Sequence, residues 1–169
     1  MTYTEKFEKW IQSDKLDEKS RAELLAIRGN EDEMKMRMER DMEFGTGGLR
    51  GIMRAGSNGM NVYTVRHASC ALAKYLSDNK LSGGVAIAFD SRNNSALFAI
   101  EAAKTLAFYG IKTYIFDSLR PTPELSFAVR FLKCSAGIVV TASHNPKEYN
   151  GYKVYGDDGA QVVFEAADA

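Results

Sequence analysis

Between residues 83 and 155 the chain alternates short strand-like runs with helix-length segments, and this alternation limits the fold more than any other feature. Residues 85–89, VAIAF, form an unbroken apolar run of the kind that makes a strand buried on both faces. Gly83 and Gly84 break the chain before it and Asp90 ends it. Residues 112–116 and 137–141 predict two more strands, and 149–155 a fourth. Thr64 is placed to cap a helix reaching Tyr75 and Leu76, with Val65, Ala68, Leu72 and Tyr75 on one face. A second helix starts at Asn94 or Ser95 and runs to Tyr109, where Gly110 stops it. A third follows Pro121-Thr122-Pro123 over residues 124–131. Strands separated by such helices predict an α/β fold: a three-layer α/β/α sandwich around a mostly parallel mixed sheet.

The first 43 residues read differently. They are charged and helix-favouring, with Phe7, Trp10 and Ile11 at helical spacing and Leu24, Leu25 and Ile27 behind them. Met34, Met38 and Met42 recur every four residues in a predicted helix over 31–43, a stripe that suits packing. Residues 1–43 therefore form an N-terminal helical extension, and 44–169 the domain proper. That domain opens with FGTGGLRG, residues 44–51, whose four glycines exclude a helix interior and predict a loop or a strand with close backbone approach.

A formal net charge of zero argues against a nucleic-acid or membrane-surface binder that works by bulk electrostatics. No apolar run approaches a bilayer's thickness, and the N-terminus lacks the basic and apolar regions of a secretory signal. Cys70 and Cys134 stand apart, as do His67 and His144, so a zinc site is not predicted and reduced thiols in a cytoplasmic protein are.

The chemistry concentrates after the strand at 137–141, in Thr141-Ala142-Ser143-His144-Asn145-Pro146. Carboxyl ends of strands are where ligands bind in α/β sheets. Asn145-Pro146 enforces a turn, so Ser143 and His144 are displayed there either as turn residues or for covalent chemistry. Arg50 and the Asp90-Ser91-Arg92 loop reach the same sheet edge, bringing guanidinium groups and glycine-exposed amides that suit phosphate. Each residue also has a plain reading. Arg50 and Lys153 serve equally as surface cations, and Asp90 with Arg92 as a loop ion pair.

FGTGGLRG, FDSRNNS (89–95), TASHNP (141–146) and NGYKVY (150–155) together resemble, in order and spacing, the first domain of the α-D-phosphohexomutases. The resemblance covers essentially the whole chain and is closest to the long phosphoglucomutase/phosphomannomutase subgroup. It implies that Ser143 is the serine phosphorylated in the resting enzyme, which exchanges its phosphoryl group with a hexose phosphate through a hexose 1,6-bisphosphate. It implies orientation or proton transfer by His144, acid–base work by Lys153 and charge screening of the phosphoserine by Arg50. Asp90 and Arg92 support the serine loop, with Thr46, Gly47 and Asn145 as further phosphate-binding or supporting positions. It also implies Mg2+, held by the Ser143 phosphate together with an Asp-x-Asp-x-Asp-Arg loop of a second domain, a string that does not occur here. On this resemblance the chain is domain one of a four-domain enzyme whose remaining domains are its partners, and alone it does not turn over substrate. Phosphomannomutase, phosphopentomutase and a non-catalytic phosphosugar-binding module are the alternatives. The sequence leaves open the preferred sugar, the oligomeric state and whether the truncation is natural.

Overall fold

A computed structural model describes residues 1–45 and 47–162. Its five strands form one sheet in the order β1-β5-β4-β2-β3. They are β1 (Gly48–Ile52), β2 (Val85–Phe89), β3 (Thr113–Ile115), β4 (Ala136–Val140) and β5 (Tyr149–Tyr155). β3, β2 and β4 run parallel, β5 is antiparallel to β4, and β1 is antiparallel to β5. The sheet is therefore mixed and mostly of one direction. The helices are α1 (Tyr3–Gln12), α2 (Glu18–Leu25), α3 (Glu31–Met38), α4 (Val62–Asp78), α5 (Ser95–Phe108) and α6 (Thr122–Phe131).

Strand β2 leads through α5 outward to β3, and β3 returns through α6 across β2 to β4. Parallel crossovers share one hand, so reversing the direction of travel sends the two helices to opposite faces. Alternation along the strands then splits the core. Val85, Ile87, Phe89, Ile138, Val140 and Tyr152 face α4 and α5, whereas Ala86, Ala88 and Val139 face Leu125, Ala128 and Val129 of α6. The small residues on the second face let α6 sit close: a Cβ at Gly137 would stand 2.5 Å from a Val129 methyl.

The N-terminal helices close a third cluster around Phe7, Ile11, Leu16, Leu24, Met34 and Met38, which takes in Ala55 and is flanked by Tyr63. Arg37 ties it to the domain by donating to Glu23, Glu33 and the Ala55 carbonyl.

Several boundaries differ from the sequence reading, each for a local reason. Helix α3 ends at Met38, so Met42 lies beyond it; its N–H bonds Ser57 O, and its side chain packs beside Gly51. Helix α4 is capped by Asn61, whose side chain accepts from the N–H of Tyr63 and Thr64, while Thr64 returns a bond to Asn61 N. Thr64 is thus the reciprocal partner within a capping box, not the cap. Helix α6 begins at Thr122 and accommodates Pro123 in its first turn, where a missing N–H is harmless. The glycine-rich stretch yields a strand, because Gly48 pairs Lys153 so closely that a Cβ there would lie 2.2 Å from Tyr152 O.

Candidate functional site

Strands β2 and β4 are neighbours whose onward connections leave in opposite directions, which opens a crevice at their carboxyl ends. The residues there are Asp90, whose N–H bonds Val140 O, and the segment beginning Thr141-Ala142-Ser143. This segment turns sharply. Thr141 Oγ1 accepts from Ser143 N at 3.0 Å, and Asn145 N donates to Ala142 O at 3.0 Å. Ser143 sits at φ 54°, in the left-handed region that disfavours a residue with a Cβ. Its side chain is exposed. A strained residue that displays its hydroxyl to solvent has to be held, and Arg92 holds it.

Arg92 crosses the crevice and donates to four carbonyls: Ser143 O at 2.6 Å, Asn145 O at 2.8 Å, Pro146 O at 2.9 Å and Tyr149 O at 3.2 Å. A planar guanidinium with five donors is the side chain suited to gathering several carbonyls. Arg92 is positioned in turn by Asp90, whose Oδ1 accepts from Arg92 N at 2.9 Å and from Ser95 Oγ at 2.7 Å; Oδ2 lies 3.4 Å from Arg92 Nε. Two residues not singled out from the sequence complete the assembly. Fully buried Asn150 on β5 donates through Nδ2 to Ser95 Oγ at 2.9 Å and to Asn93 O at 3.0 Å. The available signal was an asparagine inside a predicted strand, where that residue type is depleted.

Arg50 lies opposite Gly151, and Gly151 O accepts from Thr141 N at 3.0 Å, so Arg50, Gly151 and Thr141 line up across β1, β5 and β4. Lys153 lies two pairs further from the edge, between Gly48 and Val139. Val139 belongs to the α6 side, so by alternation both cations occupy that face. Helix α6 packs over β2 and β4. Glycine at position 151 leaves no side chain between Arg50 and Thr141, while Lys153 adjoins Val139 of β4 directly. Arg50 is exposed and Lys153 half-buried, and among the described residues neither has a hydrogen bond or ion pair.

The remaining candidates are less tightly assembled. His144 is exposed, and its Nδ1 stands 3.5 Å from Ser143 Oγ, the outer limit of a hydrogen bond. Asn145 is half-buried, and its Oδ1 lacks a partner among the described residues. Gly47 is not brought to the serine: its carbonyl accepts from Val154 N, level with Ile138 and five residues back from Ser143. Gly47 instead makes a turn at φ 70°, where a Cβ would stand 2.3 Å from Val162 O. Thr46 lies outside the described residues. A groove of about 830 Å³ between α1, α4 and β5 contains none of the predicted site residues. Among the described residues no three His, Cys, Asp or Glu side chains are grouped to hold a metal ion.

This arrangement offers an exposed hydroxyl on a rigid turn, beside a sheet face carrying unpaired cations. It suits the receipt and release of an anionic group. Residues 41–169 match the family described as phosphoglucomutase/phosphomannomutase, alpha/beta/alpha domain I. The chain is 47% identical over 124 residues to a phosphoglucomutase from Staphylococcus haemolyticus, a match covering 73% of this chain and 23% of that protein. Against the phosphoglucomutase of Staphylococcus saprophyticus the identity is 45% over 138 residues, covering 82% and 25%. Among solved structures, one assigned as a phosphomannomutase from Thermus thermophilus superposes with a TM-score of 0.69 at 34% identity, over 76% of this chain and 29% of that one. The matches therefore span about a quarter of the length of these relatives.

Proposed function

Because the chain belongs to the phosphoglucomutase/phosphomannomutase family, with residues 41–169 as its domain I, we propose that it carries the phosphoserine of an enzyme interconverting hexose 1-phosphate and hexose 6-phosphate. The observation that supports this most is the exposed Ser143 hydroxyl, held at φ 54° by the Arg92 clamp at the carboxyl end of β4. Glucose is favoured over mannose by the phosphoglucomutase relatives at 45–47% identity, against 34% for the phosphomannomutase structure.

In the first half-reaction a sugar hydroxyl oxygen forms a bond to phosphorus as the Ser143 Oγ–P bond breaks. The sugar's proton passes to a base, for which Lys153 is our candidate. The departing serine oxygen takes a proton from His144 or water. The hexose 1,6-bisphosphate then presents its other phosphoryl group, Ser143 Oγ attacks it, and the proton transfers reverse. Such transfers depend mainly on positioning and on cations near the equatorial oxygens. Arg50 supplies one such cation on the open face. Before transfer, the four carbonyls gathered by Arg92 keep the turn from yielding as two negative charges accumulate on it.

Magnesium would contribute Lewis-acid charge neutralisation when bound. The phosphate oxygens on Ser143 are the ligands this chain would offer, but its described residues do not themselves form a metal site. Asp90, the carboxylate of the serine-turn network, is already committed to Arg92 and Ser95. We therefore assign further metal ligands, sugar selection and completed turnover to protein outside these 169 residues, with residues 1–43 as a helical extension bracing domain I. A cytoplasmic location accords with the unpaired Cys70 and Cys134, and no described helix is long and apolar enough to cross a membrane.

The test is incubation with glucose 1,6-bisphosphate and Mg2+ followed by intact-mass and peptide analysis. One added phosphoryl group on Ser143 is the expected result. No uptake, or uptake at another residue, overturns the reading and favours a non-catalytic phosphosugar-binding module. A coupled assay in which the 169 residues alone convert glucose 1-phosphate to glucose 6-phosphate would overturn the assignment of turnover to the missing parts.

A further inference from the structure

The hydrogen bonds around the serine turn close into a ring. Arg92 donates to Tyr149 O and is tied to Asp90; Ser95 donates to Asp90; Asn150 donates to Ser95; and Asn150 is the residue after Tyr149. The ring joins the end of β2, the first turn of α5, the start of β5 and, through Arg92, the carbonyls of Ser143 and Asn145. Asn150 and Ser95 are both fully buried.

Proton bookkeeping fixes the sense of each bond. Ionised Asp90 only accepts, so the single Ser95 hydroxyl proton points to it, and Ser95 Oγ accepts from the Asn150 amide. With Nδ2 spent on Ser95 Oγ and Asn93 O, Asn150 Oδ1 is left to accept from Gly151 N at 2.8 Å. Gly151 is the residue opposite Arg50, and Lys153 follows two positions on.

We infer that Asn150 and Ser95 are positioning residues for phosphoryl transfer, locking the Ser143 turn to the strand that carries Lys153. They act through Asp90 and Arg92 and do not touch substrate. This inference rests on the phosphoserine reading. Displacements of about 1 Å can slow a positioned reaction on the order of 100-fold, so a pair that fixes two reacting elements in mutual register matters to rate as well as to stability.

Asn150→Asp separates positioning from mere packing. It keeps the shape but replaces a donor by a carboxylate facing Asp90 through Ser95. The charged members of the surrounding network are Asp90 and Arg92; β1 sets uncharged Gly51 opposite, and α5 contributes uncharged Asn94 and Ser95. Burial and the like charge raise the new carboxyl above its ordinary value. As pH falls through that raised value the group gains an O–H donor and the ring re-forms. Ser143 loading from glucose 1,6-bisphosphate, divided by the parent's rate at the same pH, is expected to be depressed about 100-fold at pH 8 and to recover substantially towards pH 5. Ser95→Ala, which introduces no charge, covers the case where Asn150→Asp fails to fold; its loading falls about 10-fold at every pH. Hydrogen exchange of the peptide containing residues 141–149 is read in parallel and rises in both variants.

Unchanged loading and unchanged exchange in folded variants overturn the inference, as does a loading defect in Asn150→Asp that is flat with pH. If the parent protein itself fails to load, the phosphoserine reading falls. The catalytic part of the inference falls with it, and the exchange data then decide only whether Asn150 and Ser95 hold the turn: faster exchange supports that, and unaltered exchange removes it.

Discussion

The two faces of the sheet answer the same folding problem in different ways. On the α4–α5 side, among the described residues, eighteen buried apolar side chains form one cluster and polar groups are paired within it. The fully buried Tyr152 hydroxyl meets Ser69 Oγ at 3.1 Å, and Glu101 is held by Arg66 and Lys104. On the α6 side the cluster contains eight residues, three of them alanine, and lies over β2 and β4. On that same side of β1 and β5 stand glycine, Arg50 and Lys153, both cations without a side-chain hydrogen bond or ion pair among the described residues. Proteins pair their charges where packing is the purpose. Cations left unpaired beside a strained, exposed hydroxyl suit the proposed role, in which a ligand supplies the countercharge.

The largest expected effect strikes the open face. Ser143→Ala removes the attacking oxygen, so phosphoryl uptake is abolished, while thermal unfolding shifts by no more than about 1 kcal/mol because the side chain buries nothing. Loss of stability with retained uptake at that position would reverse the contrast between the faces. Next comes the covered face: Ile138→Ala creates a cavity in a side chain with no exposed surface and is expected to destabilise by about 3 kcal/mol in denaturant titration. Arg50→Ala returns to the open face, with loading slowed about 100-fold by loss of one stabilising cation and stability altered by about 0.5 kcal/mol or less. Equal stability losses for Ile138→Ala and Arg50→Ala would show that the faces are not differently built.

How much of this was legible in the sequence follows from the range of the forces involved. The run at 85–89 matches β2 at both ends, because burial on two faces and flanking breakers are local signals. Met34 and Met38 pack as their spacing predicts, but Met42 does not continue the helix, since its N–H is taken by Ser57. The cap of α4 is ambiguous in sequence, since Asn61 and Thr64 bond each other reciprocally and either alone reads as a cap. The sequence of β1 fits loop and strand alike because glycine weakens strands intrinsically, and only the backbone crowding against β5 selects the strand. At the site, Asp90, Arg92, Ser143 and Asn145 were found as motif members and are hydrogen-bonded together. Ser95 and Asn150 were not assigned roles. Their bond spans 55 positions, and no local periodicity reports such a pairing.

Two smaller effects refine the contrast by testing whether polar groups on the covered face are as well satisfied as they look. Burial pushes the Tyr152 phenol far above its ordinary value, and the hydrogen bond with Ser69 offsets that rise only in part. Tyr152→Phe leaves Ser69 still bonded to Val65 O, so the expected loss is about 1 kcal/mol. For Glu101, burial works to raise the carboxyl, but hydrogen bonds from Arg66 and Lys104 prevail and hold it below its ordinary value. A carboxyl lowered in the folded state contributes stability that is complete above its unfolded value and disappears as pH falls through the folded one. Wild-type stability should therefore drop below about pH 4.5 by an amount that Glu101→Gln reduces, on the order of 1 kcal/mol given how exposed Arg66 and Lys104 are. Urea midpoints at pH 7 and pH 3 measure it. An acid loss identical in the two proteins would mean that Glu101 is paired without being stabilised, and that the covered face tolerates idle charge as readily as the open one.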